Sequence, residues 1–317
     1  MPTTPATARR LLQIGPLPAG LETALQQRYQ VHPLWQEPDR SAFLARTAGS
    51  FDGAVTMSRH GCTADIFESL GKGVVACFGV GFEGLDLQAA ARHGVQVSTT
   101  PDVLNDCVAD CAFGLILASA RGLVAADRHV QQGRWPAGPF PLATRVSGKH
   151  LGIVGLGRIG AAIARRASGF DMPVRYHGRK PQPEAPYGYE PGLIELARWA
   201  DFLVVACRGG AETRHLINAP VLRALGPQGF LINIARGSVV DEQALAQAIA
   251  QEQIGGAGLD VYEHEPQVHE GLLGRDNVVV LPHVAATTRE TRNAMEQLVL
   301  DNLQAYFATG KVLTPPA

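Results

Sequence analysis

Cysteine is scarce in this chain. Five thiols occur in 317 residues, at Cys62, Cys77, Cys107, Cys111 and Cys207. The count is odd and no C-x-x-C pair is present, so the pattern describes neither a disulfide framework nor a thiolate metal knuckle. Cys107 and Cys111 lie four apart on an expected helix, where they read as two small buried hydrophobes or as a metal pair. An excess of one charge is missing too. Net charge is −1 and charged residues are 18% of the chain, so no strong field draws it to nucleic acid or to an anionic membrane. No apolar run reaches the roughly 20 residues that span a bilayer. Met1 to Arg10 is polar and proline-bearing, without the apolar centre of a secretion signal. These absences predict a soluble protein of the reducing cytoplasm, with no nucleic-acid partner, no membrane partner and no metal.

Apolar residues are plentiful, at 46% of the chain, and they are ordered. Short apolar runs alternate with helical stretches almost throughout, which predicts α/β architecture with parallel sheets. The length suggests about two domains at roughly 150 residues each. Expected strands are 11–14, 53–57, 73–78 and 95–98 in the first part. From Lys149 onward they are 151–154, 174–177, 202–206, 230–233, 256–259 and 278–281. A helix is expected over 19–29, one long helix over 105–128, and a last one over 288–309. Residues 131–147 are glycine- and proline-broken, and so long an irregular connection suggests a dedicated job such as a dimer arm.

The most informative stretch is Gly152-Ile153-Val154-Gly155-Leu156-Gly157-Arg158-Ile159-Gly160. It reads as a strand, a glycine-rich turn and the start of a helix. In G-x-G-x-x-G the first glycine allows the tight turn. The second admits a pyrophosphate to the backbone, and the third lets helix and strand pack closely. The anion then sits on a helix N-terminus. Gly79-Val80-Gly81-Phe82-Glu83-Gly84 also fits the motif, but a shorter helix follows it. Only the later motif is followed by a full helix and a further strand, so it is read as the dinucleotide site.

At the end of that further strand, an acidic residue would select NAD and an arginine NADP. The sequence there is Tyr176-His177-Gly178-Arg179-Lys180. It has no acid, and Arg179 falls near the expected spacing of about 20 residues past the motif. A guanidinium forks onto phosphate oxygens and Lys180 adds a point charge. NADPH is the expected cofactor, with NADH use also open; the alternative is an ordinary exposed basic turn.

Three polar groups each follow an apolar strand: Arg236, Glu265 and His283. Ligands bind outside the carboxyl ends of parallel strands, which places all three to meet at one site. Singly, each has a plainer reading: a surface ion pair, a solvated loop acid and a satisfied core histidine. A metal reading of His264, Glu265, His269 and Glu270 is opposed by Pro266, which breaks any helix that would align them.

With these residues the chain resembles the D-isomer-specific 2-hydroxyacid dehydrogenases over nearly its whole length. The resemblance rests on Gly152 to Gly160, Asn233-Ile234-Ala235-Arg236-Gly237, Gly258-Leu259-Asp260-Val261, Glu265-Pro266 and Leu281-Pro282-His283. Residues 100–106 and the Arg179-Lys180 turn look most like NADPH-dependent glyoxylate/hydroxypyruvate reductases, with hydroxyphenylpyruvate and 2-ketoaldonate reductases similar. A corepressor-like dinucleotide sensor would keep the same three polar groups; phosphoglycerate dehydrogenase fits less well.

The resemblance implies two Rossmann/flavodoxin-like doubly wound domains with a cleft between them. Residues 1–100 and 288–317 would form a discontinuous substrate-binding domain, and 101–287 the nucleotide-binding domain with a dimerisation arm at 121–149. It implies His283 as general acid, Glu265 as its hydrogen-bond partner, and Arg236 as the holder of a 2-oxo acid's carboxylate. Asp260 would orient the nicotinamide carboxamide. Further cofactor contacts would come from Gly155 to Gly160, Gly178 to Lys180, Cys207, Thr213, Ile234, Ala235 and Ala285. Substrate contacts would come from Val80, Gly81, Ser58 and Arg59 beside Arg236 and His283. The expected assembly is a homodimer, with Trp135 or Phe140 near the neighbour. Two departures stand out: Ala286 where a hydroxyl residue is common, and Arg208 where proline is usual.

Overall fold

A computed structural model describes residues 9–316. These divide into two compact units, residues 9–104 with 288–316, and residues 105–287.

The first unit is a five-stranded parallel sheet. Its strands are β1 (Arg10–Gln13), β2 (Gln30–Pro33), β3 (Gly53–Met57), β4 (Val74–Phe78) and β5 (Gln96–Ser98), in the order β2-β1-β3-β4-β5. Helices α1 (Ala19–Arg28), α2 (Arg40–Arg46), α3 (Ala64–Leu70) and α4 (Leu87–His93) make the crossovers, and the long helix Arg289–Thr309 returns to pack on β4. β4 is buried at every position, as a strand covered on both faces must be, and its run Val-Val-Ala-Cys-Phe is accordingly apolar throughout. β2 was not expected from sequence. It is an edge strand of half-buried, largely polar residues ending in proline, so no apolar run marks it.

The second unit is a seven-stranded parallel sheet. Its strands are β6 (Leu151–Val154), β7 (Val174–His177), β8 (Gly188–Tyr189), β9 (Phe202–Val205), β10 (Phe230–Asn233), β11 (Gly256–Leu259) and β12 (Val278–Val280). The order is β12-β11-β10-β9-β6-β7-β8. Chain order reverses between β6 and β9, which is the position where such sheets accept ligands. β6, β9, β10 and β11 are wholly buried.

Helices α5 (Asn105–Ala120), α6 (Leu123–Gln131), α7 (Arg158–Ala167), α8 (Leu193–Trp199), α9 (Ala219–Leu225) and α10 (Glu242–Ala250) belong to this unit. α5 lies on β10, β11 and β12. Its Leu115 and Ile116 are fully buried, each worth roughly 1.5–3 kcal/mol. The approach is close because β11 carries Gly258: a Cβ there would lie 2.9 Å from that of Leu115.

The expected single helix over 105–128 is two helices. α5 and α6 meet at an angle of 59°. Gly122 sits between them in the left-handed region, at φ 58°, a conformation that glycine adopts without the Cβ penalty. The segment after α6 holds only a short 3₁₀ turn, Trp135–Ala137, before β6. Phe140 folds back on its own unit, edge-on to His129, while Trp135 is 66% exposed.

Candidate active site

Every functional candidate of the second unit lies past the carboxyl end of a strand, and the sheet order sets them in a row. His283 follows β12. Asp260 and Glu265 follow β11. Arg236 follows β10, Cys207 follows β9, the glycine-rich turn follows β6, and Arg179-Lys180 follow β7. Adjacent strands stand about 4.8 Å apart, so the row extends along the carboxyl edge of the sheet rather than converging on a point.

At one end, His283 Nδ1 lies 2.8 Å from Glu265 Oε2. The other carboxylate oxygen of Glu265 accepts from the Tyr262 N–H at 3.2 Å. Burial alone would raise this carboxyl. The hydrogen bond and charge of His283, the Tyr262 amide and the Arg236 guanidinium outweigh it, holding Glu265 below the usual carboxylate range. Glu265 is therefore an anion near neutral pH. It fixes the ring tautomer by accepting from Nδ1, which leaves Nε2 as the outward atom.

His283 itself is held with φ at 54°, an unusual conformation for a non-glycine residue. Asp260 explains how. It is 1% exposed. Its backbone carbonyl accepts from His283 N–H at 2.9 Å, and its carboxylate oxygens accept from Val284 N–H at 2.7 Å and Ala285 N–H at 2.9 Å. Burial raises the Asp260 carboxyl, and those two amides oppose the rise. Both oxygens thus brace the loop after β12, a use that sequence did not reveal. Cys107 Sγ adds a bond to the Ala285 carbonyl at 3.0 Å. Tyr262 closes the floor, its hydroxyl donating to the Leu281 carbonyl at 2.7 Å.

Arg236 leaves β10 in extended conformation. Asn233 shapes the turn, donating from Nδ2 to the Arg236 carbonyl at 3.0 Å and accepting from Ala235 N–H at 3.1 Å. Gly237 follows, and a Cβ there would fall 1.8 Å from the Tyr262 carbonyl carbon. The β10 and β11 loops are thus in direct backbone contact, which places the Arg236 charge near Glu265. The residues of the metal reading go separate ways: Glu265 faces His283, and His269 accepts from Gly271 N–H at 3.1 Å.

At the other end, the glycine-rich turn has the shape a dinucleotide requires. Gly155 is at φ 96° with Cys207 so close that a Cβ would lie 2.6 Å from its Cα. A Cβ at Gly160 would lie 2.2 Å from the Gly155 carbonyl. At Gly157 a Cβ would meet nothing within 4 Å, so this approach is open. No side chain caps the start of α7, and the N–H groups of Arg158, Ile159 and Gly160 head the helix. Two glycines serve packing and one leaves room for a ligand, which fits a pyrophosphate. Burial pushes the Cys207 thiol up to about 11. Thr213 lies in a 3₁₀ turn, its hydroxyl donating to the Arg208 carbonyl at 2.8 Å. Ile234 continues the β10 ladder to Val205. Gly178, Arg179 and Lys180 form a turn with both cationic side chains exposed.

In the first unit, Ser58 and Arg59 follow β3 and Val80 and Gly81 follow β4. The two loops interlock. A Cβ at Gly79 would lie 2.1 Å from Ser58 Oγ, and Cys62 N–H donates to the Gly84 carbonyl at 2.9 Å. Arg59 Nε donates to His60 Nε2 at 3.3 Å.

The family model of the D-isomer specific 2-hydroxyacid dehydrogenase NAD-binding domain matches residues 113–285. The chain belongs to this family. It is 46% identical to the hydroxyphenylpyruvate reductase of Plectranthus scutellarioides over 306 residues, 96% of this chain and 98% of the relative. It is 44% identical, with the same coverage, to glyoxylate/hydroxypyruvate reductase A of Arabidopsis thaliana. Among solved structures, the NADPH-dependent glyoxylate/hydroxypyruvate reductase of Sinorhizobium meliloti, in complex with NADP and malonate, matches with a TM-score of 0.89. Identity is 40%, and 98% of this chain and 97% of that one are covered. This 2-hydroxyacid dehydrogenase is thus an NAD(P)-dependent oxidoreductase with two parallel-sheet α/β domains.

Proposed function

We propose that the protein reduces a small 2-oxo acid of the glyoxylate or hydroxypyruvate type to the D-2-hydroxy acid, using NADPH. The observation that carries the chemistry is the His283–Glu265 pair at 2.8 Å, with an acid held ionised beside an imidazole whose second nitrogen points away. The bound cofactor supplies a hydride to the carbonyl carbon. His283 donates its Nε2 proton to the carbonyl oxygen, so that the ketone becomes a hydroxyl. Glu265 stays anionic and keeps the ring turned so that Nε2 faces outward, by accepting from Nδ1. The Arg236 guanidinium holds the substrate carboxylate and stabilises negative charge that develops on the oxygen. Arg179 and Lys180, without an acid beside them, support a preference for the 2′-phosphate of NADPH.

The names of the similar proteins support this class and leave the side chain of the substrate among glyoxylate, hydroxypyruvate, hydroxyphenylpyruvate and 2-ketogluconate. The test is a panel of these acids mixed with protein and NADPH, followed at 340 nm. Oxidation with at least one is expected. No oxidation with any would overturn the reading and favour a dinucleotide sensor.

A homodimer formed through residues 121–149 belongs to the same proposal. Leu123, Val124, Val130, Trp135 and Leu142 are all exposed there, more apolar surface than a short segment ordinarily leaves to water. Light scattering should give twice the 33.7 kDa chain mass. A reducing cytoplasm suits the five cysteines, all present as thiols.

A further inference from the structure

We propose that Gln182 is a positioning residue for cofactor choice, holding the Gly178–Lys180 turn where its two cations meet a 2′-phosphate. This rests on the NADPH reading above and assigns a cause to it.

The turn is fastened at three points. Tyr189 Oη donates to the Gly178 carbonyl at 3.1 Å, at the entry. Gln182 N–H donates to Tyr176 Oη at 2.6 Å, at the exit, and Tyr176 is 1% exposed. The Gln182 side chain then crosses to the glycine-rich turn, where Nε2 donates to the Leu156 carbonyl at 2.6 Å. Proline stiffens the same stretch. Lys180 precedes Pro181 and Gln182 precedes Pro183, which restricts both to extended backbone.

What the brace carries is kept free of other work. Among the described residues, neither Arg179 nor Lys180 has a hydrogen-bond or ion-pair partner, and both are exposed. A Cβ at Gly178 would meet only the Lys180 carbonyl, at 4.0 Å, so the ribose side of the turn is open. Two unspent cations on a stiff loop form an anion site whose ordering cost is met before the ligand arrives.

The dependence is one-sided. The glycine-rich turn has its own supports: Gly155 N–H donates to the His177 carbonyl at 2.8 Å, and its α-carbon packs on Cys207. It does not need Gln182 to hold its shape. Beyond the His177 carbonyl, where β7 ends, Gln182 Nε2 supplies the side-chain tie between this turn and the pyrophosphate loop among the described residues. Loss of the amide should therefore move the 2′-phosphate site and leave the pyrophosphate site in place.

Isothermal titration of Gln182→Met with adenosine 2′,5′-bisphosphate and with adenosine 5′-monophosphate tests this. Methionine keeps the length of the side chain and removes the donor. Affinity for the bisphosphate should fall on the order of tenfold, the worth of one good hydrogen bond, while affinity for the monophosphate stays within about twofold of the wild type. Tyr189→Phe, which frees the other end of the turn, should shift the same ratio in the same direction and serves if the first variant folds poorly. In steady-state assays KM for NADPH should rise with kcat unchanged. Equal losses for both nucleotides, or no loss, would overturn the proposal. A wild-type protein that binds the two nucleotides equally would overturn the NADPH reading itself.

Discussion

His283 turns Nδ1 onto Glu265 at 2.8 Å, while the backbone beneath it is held in the left-handed region at φ 54°. The ring is fixed by a carboxylate on the next strand's loop, and its main chain by Asp260. Ring orientation and main-chain placement therefore depend on different acids and can be separated by mutation.

Glu265→Gln removes the anion that accepts from His283 Nδ1, so kcat/KM for reduction should fall about tenfold or more in the 340 nm assay, the worth of a hydrogen bond to a charged group. The same variant reports on stability. A carboxyl whose folded pKa lies below its unfolded value, about 4.3 for glutamate, stabilises the fold above that value and loses the effect as pH falls through the folded one. The melting-temperature gap between wild type and variant should be widest at neutral pH and narrow below about pH 4. A gap that does not change with pH would show that the pair contributes no linkage.

His283→Asn tests proton donation without confounding strain, because asparagine tolerates the left-handed region. Reduction should slow by about 10²–10⁴-fold, with NADPH affinity by fluorescence titration unchanged. Retained turnover would remove His283 from the reaction.

Asp260→Asn places an amide NH₂ against one of the two backbone N–H groups that the carboxylate now accepts. The loop carrying His283 should loosen and kcat should drop about tenfold. Because the variant also removes a buried charge, its melting temperature should change little at neutral pH. A fall in stability with unchanged kcat would assign Asp260 to the fold alone.

Gly155→Ala and Gly157→Ala should differ in kind. The first drives a Cβ into the Cys207 backbone at a positive φ and should destabilise by about 2 kcal/mol or more. The second meets no protein atom within 4 Å, so thermal stability should persist while dinucleotide binding is lost. Normal cofactor binding by Gly157→Ala would move the pyrophosphate elsewhere.

Neutralising Arg179 and Lys180 together should weaken NADPH far more than NADH, measured as the ratio of the two KM values. A parallel loss for both would count against the 2′-phosphate assignment.

The parts visible in the sequence were those where one physical demand fills consecutive positions. Buried parallel strands need unbroken apolar runs, and β3 falls where its run predicts, over Gly53–Met57. The edge strands β2 and β8 carry no such demand and left no trace. The break at Gly122 was hidden because a glycine inside a helical pattern is compatible with continuation, and only its φ decides. Arg236, Glu265 and His283 were legible through motif spacing, and the structure sets them at neighbouring strand ends. The brace through Gln182, Tyr176 and Tyr189 joins residues of different elements without a pattern. The use of Asp260 as a clamp depends on backbone amides, which every residue but proline possesses.

Where 237 lacks a side chain, the chain after β10 rests directly on the carbonyl of Tyr262. Two excursions of the polypeptide are packed main chain against main chain, with no room for a side chain between them. A shift of the main chain at 236–237 therefore presses on the main chain at 262–263, three residues before the carboxylate at 265. Lengthening either excursion by even one residue would break that contact, which makes these two loops poor sites for insertion although both lie at the ends of strands, where chains ordinarily tolerate it.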